Sequence, residues 1–70
     1  MSAQRKRRRR GALKNTAREI ALEEARNGAD PETVHRFLLT LRFSLEEIND
    51  AEMYVADILG DLPEYSAWAQ

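Results

Sequence analysis

Apolar residues recur along this chain at helical intervals and nowhere alternate with polar ones, so the pattern predicts helices and no strands. The sharpest stretch opens at Asp30 and Pro31, an N-cap acceptor followed by a residue whose fixed φ suits the first helical position. Val34, Phe37, Leu38 and Leu41 then follow at i, i+3, i+4 and i+7, which predicts a helix from Pro31 to about Leu41 with Leu39 off its apolar stripe. Next, Ser44 and Glu47 form a capping box, and Phe43 with Ile48 supplies a hydrophobic staple around the same helix start. Ile48, Ala51, Val55, Ile58, Leu59 and Leu62 gather on one side of this helix, and Glu46, Glu47, Asp50 and Asp57 lie toward the others. Gly60 and Pro63 end it. Beyond them, Tyr65 and Trp68 predict a short turn that lays both rings against the bundle.

Upstream, Ala12 to Asn27 is rich in good helix formers, with Asn27 and Gly28 as the stop. Its apolar surface is thin: Leu13, Ala17, Ile20, Ala21 and Ala25 share one broad side, and Leu22 turns away. Alanines in that position suit close approach of a neighbouring helix. The expected fold is a small all-α domain over residues 12–70, with three helices, the last two in a helix-turn-helix-like hairpin, and a C-terminal aromatic turn. Its expected core is Val34, Phe37, Leu38, Leu41, Ile48, Val55, Ile58 and Leu59. Residues 1–11 lack a large apolar residue after Met1 and carry six consecutive basic ones. Nothing there offsets the entropy of ordering, so a disordered basic arm with Gly11 as hinge is expected.

Size and composition narrow the functional classes. A chain of 70 residues and 8.1 kDa is one domain at most, and such a domain buries only about 60% of its unfolded surface, which makes self-association an expectation. With no cysteine and a single histidine, His35, neither a thiol nucleophile nor a multi-histidine metal site can be assembled. No nucleophile–base set is apparent, so an enzyme, a cofactor, a metal and a small-molecule substrate are not expected. His35 reads as a boundary residue beside the apolar stripe. No stretch is apolar enough for a membrane span, and neither a myristoylation glycine after Met1 nor a prenylation cysteine is present. An intracellular protein, cytoplasmic or nucleoid-associated, is the expectation.

The net charge of −1 conceals a strong segregation. Residues 1–18 hold eight basic side chains and no acid, while residues 19–70 hold all twelve acids against Arg26, Arg36 and Arg42. The two parts therefore sum to +8 and −9. A basic segment of this kind points to phosphate-bearing partners, because guanidinium groups bind phosphate oxygens bidentately and displace condensed counterions. The candidate nucleic-acid-binding residues are Arg5, Lys6, Arg7, Arg8, Arg9, Arg10, Lys14 and Arg18. Met1, Ala3, Gln4 and the arginine cluster after them superficially resemble the arginine-rich RNA-binding peptides of phage antiterminators, although Gly11 interrupts the continuous helix of such a peptide. That resemblance implies RNA as well as DNA among the candidate partners.

The helix beginning after Ser44 is not expected to read DNA, because Glu46, Glu47 and Asp50 would face the phosphates. The apolar residues Leu22, Leu39, Met53 and Tyr54 fall off the core stripes and form the candidate protein interface, for a homo-oligomer or another protein. The functional expectation is a non-enzymatic nucleic-acid-binding accessory or regulatory protein, its arm contacting phosphates and its acidic body mediating oligomerisation or docking. The alternative is a protein-binding adaptor or inhibitor of phage or mobile-element type that acts through the acidic body.

Overall fold

A computed structural model describes the backbone of residues 2–69 and the side chains of residues 13–69. Within it run three α-helices, α1 (Ser2–Arg26), α2 (Pro31–Thr40) and α3 (Leu45–Leu59), followed by a 3-10 segment over Pro63–Trp68 that kinks at Tyr65. No strand occurs among the described residues.

Helix α1 begins at Ser2, not at Ala12, and Gly11 lies inside it instead of forming a hinge. Arginine, lysine, glutamine and alanine are among the better helix formers, and one interior glycine costs only about 1 kcal/mol relative to alanine. Beyond this backbone assignment residues 1–12 lie outside the described residues, and so does the expectation that residues 1–11 are disordered in the free protein. At 1.5 Å per residue α1 is ~37 Å long against ~15 Å for α2 and ~22 Å for α3, so its N-terminal part overhangs the body.

Both interhelical turns close with the same hydrogen-bond pattern. After α1, the Gly28 N–H donates to Ala25 O (3.0 Å) and the Ala29 N–H to Glu24 O (3.0 Å), with Gly28 in the left-handed region at φ 105°. After α2, the Arg42 N–H donates to Leu39 O (2.9 Å) and the Phe43 N–H to Leu38 O (3.2 Å), with Arg42 at φ 68°. These are Schellman closures, and in each the residue after the left-handed one, Ala29 or Phe43, packs on the core. Each following helix is capped at once. Asp30 Oδ1 accepts from the Thr33 N–H (2.8 Å), Ser44 Oγ accepts from the Glu47 N–H (3.1 Å), and Glu47 Oε1 accepts from the Ser44 N–H (2.7 Å). The expected caps of α2 and the capping box of α3 are therefore in place. Connections this short make successive helices antiparallel neighbours, which leaves α1 and α3 running the same way.

The core consists of Ala17, Ala21 and Ala25 from α1, Val34 and Leu38 from α2, Ile48, Ala51, Val55 and Leu59 from α3, and Trp68. Of the expected core, Phe37, Leu41 and Ile58 do not belong to it: they are 39%, 44% and 41% exposed. The alanine seam of α1 explains the difference. Side chains that small let α1 approach so closely that the midlines of α2 and α3 fill the space, and positions on the flanks fall outside. Leu41 is also the C-cap of α2, beyond its last helical residue.

Trp68 is 4% exposed, and its Nε1–H donates to Ala29 O (3.1 Å), fastening the chain's end to the first turn. Tyr65 is only partly buried against the same cluster. Gly60 caps α3 with φ −62°, a conformation open to any residue, so the glycine is there for space. A Cβ at this position would collide with Ala56 O and lie 3.1 Å from Trp68 O.

Two substitutions check these assignments by chemical or thermal denaturation. Gly60→Ala is expected to destabilise, despite its ordinary φ, because backbone atoms must move to admit one methyl group. Arg42→Gly is expected to stabilise by about 0.5–1 kcal/mol, since a side-chain-bearing residue in the left-handed region costs roughly 1–2 kcal/mol and glycine returns part of that as unfolded-state entropy.

Candidate nucleic-acid interface

The eight basic residues singled out in the sequence fall into two settings. Arg5, Lys6, Arg7, Arg8, Arg9 and Arg10 belong to the overhanging part of α1, and their side chains lie outside the described residues. Lys14 and Arg18 sit where α1 meets the body. Lys14 is exposed. Arg18 is held from two directions: its Nε–H and Nη2–H donate to Asp50 Oδ2 (2.8 Å) and Oδ1 (2.9 Å), and its guanidinium carbon lies 5.0 Å from the centre of the Tyr54 ring.

Planar guanidinium suits this arrangement, because one fork meets both carboxylate oxygens while its face stacks on an aromatic ring. The pair joins α1 to α3 across 32 residues of chain. Hydrogen bonding from Arg18 holds the Asp50 carboxyl below the ordinary carboxylate range, against desolvation, with the charges of Arg18 and Lys14 adding to the effect. The same bond pushes Arg18 upward. Asp30 is likewise held low, by hydrogen bonding from Thr33 at the start of α2. Arg18 thus serves the body's own architecture. Its partner carries no mark in the sequence, where Asp50 reads as one more acid on a polar helix face.

The four candidate interface residues differ in burial, and two of them, Met53 and Tyr54, line one groove. Leu22 and Tyr54 are partly buried and pack on the core, Tyr54 beneath Arg18. Leu39 and Met53 are exposed, at 45% and 68%. Leu13, Phe37, Leu41, Leu45, Ile58 and Leu62 are exposed too, and the sequence reading did not place them on the surface. His35 does sit at a boundary: its Nδ1–H donates to Glu52 Oε2 (3.1 Å), linking α2 to α3. Around the ion pair, Arg18, Asp50, Met53, Tyr54 and Asp57 line an open groove.

Among the described residues no group of three potential metal ligands is found, and no helix is long and apolar enough to cross a membrane. Comparison with protein-family models, curated proteins and solved structures finds no match to this chain. Its functional reading therefore rests on its own charge distribution and geometry.

The lowered carboxyl of Asp50 sets a pH dependence. Protons bind the unfolded state more readily than the folded one, so the contribution is present above the ordinary carboxylate value and lost as pH falls through the depressed one. In Arg18→Gln the acid limb of the stability curve is expected to be shallower than in the unaltered chain. Urea titrations between neutral and acidic pH measure the difference, and parallel curves would remove Asp50 from this role.

Proposed function

We propose that this chain is a small non-enzymatic accessory or regulatory protein that grips the phosphates of DNA or RNA through Arg5–Arg10 and Lys14, while its acidic body organises the assembly. Support comes from one combined observation: seven of the eight basic residues in 1–18 precede the Ala17–Ala25 seam of α1, and six of them, Arg5 to Arg10, lie on its overhanging part. An extended basic helix or arm can lie along a phosphate row without bringing the acidic body against it. Affinity then arises from counterion release and needs no folded pocket. Base reading by α3 forms no part of the proposal, since its first turn carries Glu46 and Glu47. A protein carrying this activity would work where nucleic acid is, in the cytoplasm or on the nucleoid.

Arg18 is left out of the phosphate-binding set because Asp50 already occupies its fork. Seven basic residues then remain, and with six or seven of them on phosphates log K against log salt has a slope of roughly −5 to −6 on duplex DNA. Like charges one turn apart, as in Arg5 with Arg9 and Lys6 with Arg10, oppose helix formation, and phosphates relieve that repulsion. Binding is therefore expected to raise helical content.

The test compares the full chain with a variant carrying Arg7→Gln, Arg8→Gln, Arg9→Gln and Arg10→Gln, using random duplex DNA and random RNA at several salt concentrations. Expected are salt-steep binding by the full chain, loss of most affinity in the variant, a rise in far-UV helical signal on binding, and near-complete retention of affinity in Arg18→Gln. Absence of binding at low salt, or equal binding by the fourfold variant, would replace this reading with the adaptor reading, in which the acidic body alone carries the activity.

A further inference from the structure

The two halves of α1 differ in what favours their helix. In the C-terminal half Ala17, Ala21 and Ala25 are buried, and two hydrogen bonds from Arg18 to Asp50 fix the same stretch to α3. The N-terminal half holds Arg5, Lys6, Arg7, Arg8, Arg9 and Arg10, and the first turn of α1 contains no acid. Positive charges near a helix N-terminus oppose the macrodipole, like charges three and four residues apart repel, and Gly11 adds the helix-weakening effect of glycine. As a separate peptide such a segment would not hold a helix in water. Starting one is unfavourable by a factor of about a thousand, and fewer than ~12–15 residues do not recover that cost.

The backbone of α1 is nonetheless one helix from Ser2 to Arg26, and Gly11 stands less than two turns ahead of the buried Ala17. Continuity removes the starting cost. The bundle has already set the first turns, and each residue upstream has only to elongate them.

We infer that the bundle is the template of the phosphate-binding helix, so that phosphate binding and the stability of the body are coupled through the α1 backbone at Gly11. The inference rests on the phosphate-binding reading above and adds its regulation: loosening the packed half of α1 weakens the grip, and a bound phosphate chain tightens the body. Reciprocity follows from linkage, because a ligand that needs the templated helix binds the folded chain better than the unfolded one. A segment that bound as a separate coil would not give this sign. Its charges would serve the unfolded chain equally well, and unfolding would spread the twelve acids of residues 19–70 away from the polyanion. Binding of that kind leaves stability unchanged or lowers it.

Thermal unfolding of the full chain at low salt, followed by far-UV circular dichroism with and without saturating inorganic polyphosphate, tests the coupling. The expected result is a higher midpoint with polyphosphate. Gly11→Ala should enlarge that rise and tighten binding by up to about fivefold, the equivalent of the alanine–glycine difference in helix propensity. Gly11→Pro keeps every charge and leaves residues 12–70 unaltered, but proline has no backbone N–H and its ring clashes with the carbonyl four residues earlier. This variant should still bind, roughly tenfold more weakly, with the rise in midpoint gone. A midpoint that stays or falls while polyphosphate is bound overturns the inference and leaves the phosphate-binding reading standing, as does an equal rise in Gly11→Pro. Should the proline lower the midpoint of the free protein, Gly11→Ala decides, and a rise no larger than that of the unaltered chain overturns the coupling. Absence of any binding removes the phosphate-binding reading and this inference with it.

Discussion

The dependence of the fold on close helix approach begins with three alanines. Ala17, Ala21 and Ala25 are at most 1% exposed and present α1 to the other helices as a nearly smooth ridge. A larger residue at any of them would push α1 outward and open space above Val34, Leu38, Ile48 and Val55, the four largest fully buried side chains. Filling that opening would need side chains the chain does not place there. The same closeness has a cost in coverage: with α1 drawn in, flanking residues such as Phe37 and Leu41 lose the depth that would bury them. Tight packing and an apolar rim are thus one geometric fact.

Arg18 marks a division along α1. Before it every charge is positive; after it acids dominate, and at the division itself the positive group is neutralised inside the body by Asp50 and backed by Tyr54. A single continuous helix therefore carries two electrostatic characters, with the change occurring where the helix enters the bundle. The half-exposed pair contributes modestly in energy, as surface pairs do. Its greater importance is orientation: two hydrogen bonds and a stacked ring fix the rotation of α1 against α3, and with it the side of α1 that faces outward.

The elements whose physics is local were the most legible in the sequence. Asp30 before Pro31, Ser44 paired with Glu47, and Gly28 after Asn27 each act within a few residues, and each stands where local rules placed it. Arg42 was hidden, because a left-handed arginine carries no compositional mark; the closure is enforced by burial of Leu38 and packing of Phe43. The core was legible along the midlines of α2 and α3 and misread at Phe37, Leu41 and Ile58, since periodicity gives direction on a helix and not the distance to its neighbour. The basic candidates were easy to find by charge, but only three-dimensional packing separates Arg18 from the rest.

Trp68 meets Ala29 across 39 residues, almost the full span of the bundle. Such a contact can form only after the intervening helices have already brought its two ends near each other, because closing so long a loop in an open chain is entropically expensive. Docking of the indole consequently belongs to the completion of folding, and its release is the natural first step of fraying. As the chain's lone tryptophan, it makes the state of the last turn visible in ultraviolet fluorescence without any label.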